Sequence, residues 1–191
     1  MEKTITFIRH GKTAGNFEKR YIGVTDEQMT LDGEKEIRQR TYPKADMVFS
    51  SPLARCRRTA EVIYPLQQIV VIDELRETDF GRFEGRNFSE LADDREYQKW
   101  IESGGDDAFP GGESRAQANE RIMQGFEKLL SLSEECKSIS AIVHGGTIMG
   151  ILSQLFEGEY YSYHVENCEG YTFDLSSNGL YHGLRPRSFL R

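Results

Sequence analysis

Four short β-rich apolar runs, at residues 4–8, 47–49, 69–72 and 139–143, give way to polar or glycine-bearing residues and, in most cases, to a helical pattern. Parallel neighbours in a sheet need a long crossover, which a helix supplies, so such a chain buries its runs in one sheet with helices on both faces. The expected fold is a three-layer α/β/α domain with a mostly parallel central sheet. With 38% hydrophobic residues, 191 residues suffice for one substantial core, and a single domain over 1–191 is expected.

Three helices are legible in detail. Ser51 is placed to cap one with Pro52 at its first position; Leu53, Cys56, Ala60 and Ile63 then share a face, with Arg55 and Arg58 opposite. Ser114 and Gln117 have the spacing of a capping box ahead of the stripe Ala118, Ile122, Phe126, Leu129 and Leu130. Gly145, Gly146 and Thr147 open a third, whose apolar side is Ile148, Ile151, Leu152 and Leu155. Residues 80–113 carry glycines at both ends of an expected helix over 89–101. Within that stretch the excursion 86–112 reads equally as a cap over a site or as a surface crossover. In the tail, 171–175, the turn Asn178-Gly179 and 180–183 suit a hairpin or edge pairing.

Several function classes are excluded. A net charge of -7 opposes bulk attraction to nucleic acid or to an anionic membrane, so positive charge for an anionic ligand must be local. The longest aliphatic run, 69–72, is far below the ~18–20 residues that cross a bilayer. Residues 4–8 alternate rather than forming a secretory core, and Cys56, Cys136 and Cys168 include no C-x-x-C pair; a cytoplasmic protein without disulfides is expected. Gly11-Lys12-Thr13 is no phosphate-binding P-loop, because Thr6 stands where that motif needs glycine. His10, His144, His164 and His182 contain no close ligand pair and the acidic residues no EF-hand spacing, so neither metal nor cofactor is expected. His164 and His182 read as packing or solvent-facing residues.

Ligand sites in open α/β sheets lie beyond the carboxyl ends of the strands. Arg9, His10 and Gly11 follow the first run; Ser50, Ser51 and, one turn on, Arg55 the second; Glu77 the third; His144, Gly145 and Gly146 the fourth. Two imidazoles, two guanidinium groups and a carboxyl are a set able to hold a phosphoryl group and move it. Taken singly, each has a plainer reading. A histidine ending a strand is often a hydrogen-bonded structural residue, a lone arginine a surface charge, and a glutamate in a loop a decoration. Gly145 and Gly146 serve close packing or offer amides to an anion.

The residues also carry a family resemblance. Phe7-Ile8-Arg9-His10-Gly11-Lys12-Thr13 with Asn16 resembles the opening signature of the histidine phosphatase superfamily, the phosphoglycerate-mutase-like group. The blocks Thr30–Glu34, Ser50–Ala60, Leu75–Glu77 with Phe80–Gly85, Pro110–Ser114 and Val143–Gly146 resemble its further blocks in the same order, together covering residues 4–150. The resemblance implies a phosphoglycerate-mutase-like fold and a metal-independent phosphomonoesterase. It makes His10 the nucleophile that is phosphorylated and Glu77 the proton donor. Arg9, Arg55 and His144 complete the phosphate pocket, and Asn16 and Gly145 line it. Lys12, Cys56 and Arg58 depart from the commonest pattern, which bears on specificity rather than on the reacting groups. Phe80–Gly85, Tyr97, Trp100 and Phe109–Glu113 are similar to the bacterial branch that includes α-ribazole phosphatases. The implied partners are a small phosphorylated substrate and inorganic phosphate as product; the oligomeric state is open. Mutase-type transfer and a non-catalytic phosphate-binding module are the alternatives. The first needs more cover than 86–112 offers, and the second has no use for both a nucleophile and an acid. Trp100 reads as a core aromatic or as a surface on which a substrate ring stacks.

Overall fold

A computed structural model describes residues 2–190. Among them six strands, β1 (Lys3–Arg9), β2 (Met47–Ser50), β3 (Ile69–Val71), β4 (Ser138–Val143), β5 (Gly170–Leu175) and β6 (Tyr181–Arg187), form one sheet in the order β3-β2-β4-β1-β5-β6. The first four are mutually parallel, and β5 and β6 run antiparallel on the β1 side. Six helices accompany them: α1 (Ala14–Phe17), α2 (Leu31–Arg38), α3 (Ala54–Ile63), α4 (Arg95–Glu102), α5 (Arg115–Leu132) and α6 (Gly145–Leu155). This is the mostly parallel, three-layer α/β/α architecture expected from the sequence.

Strand alternation divides the apolar side chains between two faces. Ile5 and Phe7 of β1, with Phe49, Ile139, Ala141 and Val143, pack against Ile122 and Phe126 of α5 and Ile148 and Ile151 of α6. On the other face Ile8, Val48 and Ile142 meet Cys56 and Ala60 of α3 and the following Tyr64. A third cluster, Phe83, Leu91, Tyr97, Trp100 and Phe109, joined by Tyr21 and Phe80, gives residues 80–109 a core of their own.

Local signals explain where the elements begin, and where expectation fails. Ser114 and Gln117 form the expected capping box of α5, and α6 starts at Gly145 as expected. α3 does not start at Pro52. It begins at Ala54 behind Leu53, which offers no side-chain cap, and Asp26 Oδ1 accepts from Ala54 N at 2.7 Å instead. Nor does Arg55 lie on a solvent face: it is 0% exposed, while Arg58 is exposed. The helix expected over 89–101 is confined to Arg95–Glu102. Asn87 Oδ1 accepts from the amides of Ser89 and Glu90 and turns the chain there, and Asp94 then caps α4 through Glu96 N and Tyr97 N. The tail forms a hairpin whose second strand continues beyond 183 to Arg187. α1 and α2, capped by Thr13 and Thr30, were not expected.

Phe126 is 1% exposed and its ring lies 6.0 Å from that of Phe7. Phe126→Ala should cost about 3–5 kcal/mol in urea unfolding. Leu132→Ala, at a residue 50% exposed at the end of the same helix, should stay within about 0.5 kcal/mol.

Candidate active site

The carboxyl ends of β1, β2 and β4 bring the expected residues together. His10 follows β1, is 4% exposed, and sits with its ring centroid 5.2 Å from that of His144, which follows β4 and is fully buried. His10 Nδ1 lies 2.8 Å from the Gly11 carbonyl oxygen. A carbonyl only accepts, so Nδ1 carries the proton and Nε2 presents its lone pair. His144 Nε2 shares a hydrogen bond with Ser51 Oγ at 2.7 Å, and Cys56 Sγ approaches the same nitrogen at 3.4 Å. Ser51 Oγ also accepts from Leu53 N at 3.4 Å, although α3 itself starts only at Ala54.

Two guanidinium groups flank the histidines. Arg55 donates from Nη1 to the Thr25 carbonyl at 2.8 Å, and from Nη2 to the carbonyls of Gly23 at 2.7 Å and Ile22 at 3.3 Å. Arg9 donates from Nη1 to the Val165 carbonyl at 2.7 Å. In both side chains Nε is buried with no hydrogen-bond partner. A buried charge-bearing donor without an acceptor is costly, and a pair of them facing one site is a seat for an anion.

Glu77, 7% exposed, lies in the loop after β3. Its Oε1 accepts from Thr78 N at 2.9 Å and its Oε2 from Gly146 N, in the first turn of α6, at 3.2 Å. Gly146 is required there, because a Cβ on it would stand 2.4 Å from Glu77 Oε1. At Gly145 a Cβ would only touch the Arg9 guanidinium, at 3.5 Å. Asn16 sits at the edge: its Oδ1 accepts from Thr13 N at 3.1 Å and from Asn167 Nδ2 at 3.2 Å.

Residues around the cluster hold these groups in place. Glu84 accepts from the amides of Gly23, Val24 and Thr25 and from Thr25 Oγ1, orienting the loop whose carbonyls hold Arg55. Arg121 pairs with Glu113 at 2.6 Å and donates to the carbonyls of Glu74, Arg76 and Glu77, clamping the Glu77 segment to α5. Asn167 Nδ2 also donates to the His10 carbonyl at 2.9 Å. Glu84 and Glu113 lie inside the glycine-bearing blocks, whereas Arg121 and Asn167 carry no local signal. His164 and His182 stand apart from this cluster.

Burial, and then the charges of Arg55 and Arg9, push His10 well below the ordinary imidazole value. His144 is lowered in the same direction, first by burial and then by Arg55, His10 and Arg9. Both are therefore neutral near pH 7. Burial raises the Cys56 thiol to about 12, so it stays protonated and acts as a small apolar neighbour.

Comparison with known proteins agrees with this geometry. Residues 5–181 match the histidine phosphatase superfamily (branch 1). The chain is 29% identical over 161 residues to the protein named uncharacterized phosphatase PhoE of Bacillus subtilis strain 168, covering 81% of this chain and 78% of that one. It is 31% identical over 156 residues to a probable phosphoglycerate mutase GpmB of Erwinia tasmaniensis, covering 78% and 72%. The crystal structure of a putative α-ribazole-5′-P phosphatase from Escherichia coli K-12 superposes with a TM-score of 0.86 at 22% identity, covering 98% of this chain and 97% of that one, a likeness of fold. The chain belongs to the histidine phosphatase superfamily.

The two neutral histidines set a pH dependence of stability. Their folded values lie below the unfolded value of ~6.5, so as pH falls through that value the unfolded chain takes up protons that the folded one refuses. Above it neither state binds them and their contribution is flat. The urea midpoint should hold steady from about pH 8 to 7 and fall as pH drops from about 6.5 to 5.5, with His144→Gln reducing that slope. A midpoint that rises on acidification would contradict two buried neutral imidazoles.

Proposed function

We propose that this histidine phosphatase superfamily member hydrolyses small-molecule phosphomonoesters through a phosphohistidine on His10, without a metal ion. The observation that carries the reading is an imidazole with its Nε2 lone pair free, beside two arginines, Arg55 buried and Arg9 half-buried, whose buried Nε donors lack acceptors. Guanidinium donors suit the equatorial oxygens of a phosphoryl group, and His144 adds a further polar contact. Nε2 of His10 attacks phosphorus as the bond to the leaving oxygen breaks, and Glu77, entering this step as the carboxylic acid, gives that oxygen its proton and becomes a carboxylate. Water then attacks the phosphohistidine, Glu77 takes its proton, and inorganic phosphate leaves with the His10 nitrogen restored. Asn16 and Gly145 border the phosphate.

Neutral His10 supports the nucleophilic role, since a protonated ring has no lone pair to offer. The fixed carboxylate supports the acid–base role. Gly146 N and Thr78 N hold both Glu77 oxygens, so the group that meets the leaving oxygen is positioned before substrate arrives. Hydrolysis is preferred to transfer between two hydroxyls because the 86–112 excursion offers little cover to exclude water, and to phosphate binding without turnover because nucleophile and proton carrier are both present. Small phosphorylated substrates and the cytoplasm are the proposed setting.

Hydrolysis of an aryl phosphate in excess chelator should proceed with the parent protein. His10→Ala should lose about 10³-fold or more in kcat. Glu77→Gln should lose about 10²–10⁴-fold, most with poor leaving groups. Quenching the parent in alkaline detergent with ³²P-labelled substrate should trap a base-stable, acid-labile protein phosphate that His10→Ala lacks. Substantial turnover by His10→Ala would remove the nucleophile, and strict dependence on added metal would remove the mechanism.

A further inference from the structure

His10 and His144 are both buried, and their ring centroids lie 5.2 Å apart. A neutral imidazole carries one N–H and one lone pair, and the one it turns to a ligand decides what it can do there. For His10 the Gly11 carbonyl fixes the choice, because Nδ1 must donate to it. For His144 the choice falls to a hydroxyl, that of Ser51.

Ser51 is fully buried, so its hydroxyl proton needs an acceptor inside the protein. Leu53 N, at 3.4 Å, is a donor and cannot take it. Two neighbours can: His144 Nε2 at 2.7 Å and the Cys56 sulfur, which adjoins both groups. Sulfur is a weak acceptor beside an imidazole nitrogen. If Nε2 instead donated to Ser51 Oγ, the hydroxyl proton would be left with sulfur alone. Nε2 therefore holds the lone pair, and the one proton of the neutral ring sits on Nδ1. Among the described residues Nδ1 meets no oxygen or nitrogen acceptor, and Cys56 Sγ stands 3.7 Å from it. An N–H buried without a good acceptor repeats what the Nε groups of Arg9 and Arg55 show at the same site.

Resting on the phosphatase reading above, we propose that Ser51 is a positioning residue for the reaction: its hydroxyl holds His144 as the Nδ1–H tautomer, opposite to that of His10. His144 then donates from Nδ1 to a non-bridging phosphoryl oxygen while His10 Nε2 attacks phosphorus, and no proton leaves His144 in either step. The tautomers also separate the roles of two neighbouring imidazoles. His10 turns a lone pair to the phosphoryl group and bonds to it; His144 turns a proton to it and does not.

The tautomer is read directly in protein labelled with ¹⁵N-histidine, from long-range ¹H–¹⁵N correlations of the rings at about pH 8, where an ordinary imidazole is neutral too. His144→Gln identifies the His144 signals by their loss. The parent should show a protonated Nδ1 and an unprotonated Nε2 on His144, and inorganic phosphate should shift Nδ1 the more. Ser51→Ala should move the proton toward Nε2, lower kcat/KM for an aryl phosphate by about 10–10²-fold and weaken inhibition by inorganic phosphate by about tenfold. Ser51→Thr keeps the hydroxyl and should restore the tautomer with most of the rate. Cys56→Ala should leave the tautomer unchanged. A His144 protonated on Nε2 in the parent, a tautomer that follows Cys56→Ala, or parental tautomer and rate in Ser51→Ala overturns the role of Ser51, while turnover through a trapped phosphohistidine keeps the phosphatase reading intact. No turnover and no phosphoprotein in the parent overturns both.

Discussion

Burial of guanidinium charge without a carboxylate partner is the constraint on which the rest of the site depends. Arg55 is 0% exposed, and among the described residues it forms no ion pair. Its compensation comes from the carbonyls of Ile22, Gly23 and Thr25. A loop that aims its carbonyls inward leaves its amides in need of acceptors, and Glu84 supplies them to Gly23, Val24 and Thr25. The carboxylate therefore acts on Arg55 through one layer of peptide dipoles. Placed in direct contact it would take the acceptor place that the unpartnered Nε of the guanidinium leaves open.

The same charges govern the histidines. Arg55 and Arg9 repel a proton from His10 and His144, reinforcing the larger effect of burial. His10 is thus kept deprotonated without a general base, whereas a hydroxyl in the nucleophilic role proposed for it would need one to remove its proton. A bound phosphate dianion would offset that repulsion, so a positive ring bearing a phosphoryl group becomes tolerable only when the oxygens lie between the arginines. Anion binding and nucleophile readiness are one electrostatic arrangement seen before and after the substrate enters.

Much of this was legible in the sequence because strand ends are. His10, Arg9 and His144 directly follow apolar runs whose alternation marks them as strands, and the sheet topology then gathers them on one edge. Arg55, read on the face opposite the apolar stripe, is fully buried, since helical periodicity cannot distinguish a charged residue facing water from one facing buried carbonyls. Ser51 has the form of a helix cap, yet His144 claims its hydroxyl, a competition between residues 93 positions apart that no local pattern records. The helix expected over 89–101 shortened because Asn87 and Asp94 each offer a side-chain oxygen to nearby amides. Arg121 and Asn167 were missed for the plainer reason that their partners are backbone carbonyls distant in sequence.

The positioning of Glu77 also depends on peptide groups. Its backbone is clamped from α5 by Arg121, itself fixed by Glu113, and its carboxylate is held by amides of Thr78 and Gly146. None of these contacts involves the aromatic cluster of residues 80–109. The carboxylate is therefore placed by backbone amides alone, independently of the aromatic side chains. That independence requires glycine at 146, where any Cβ would displace the carboxylate.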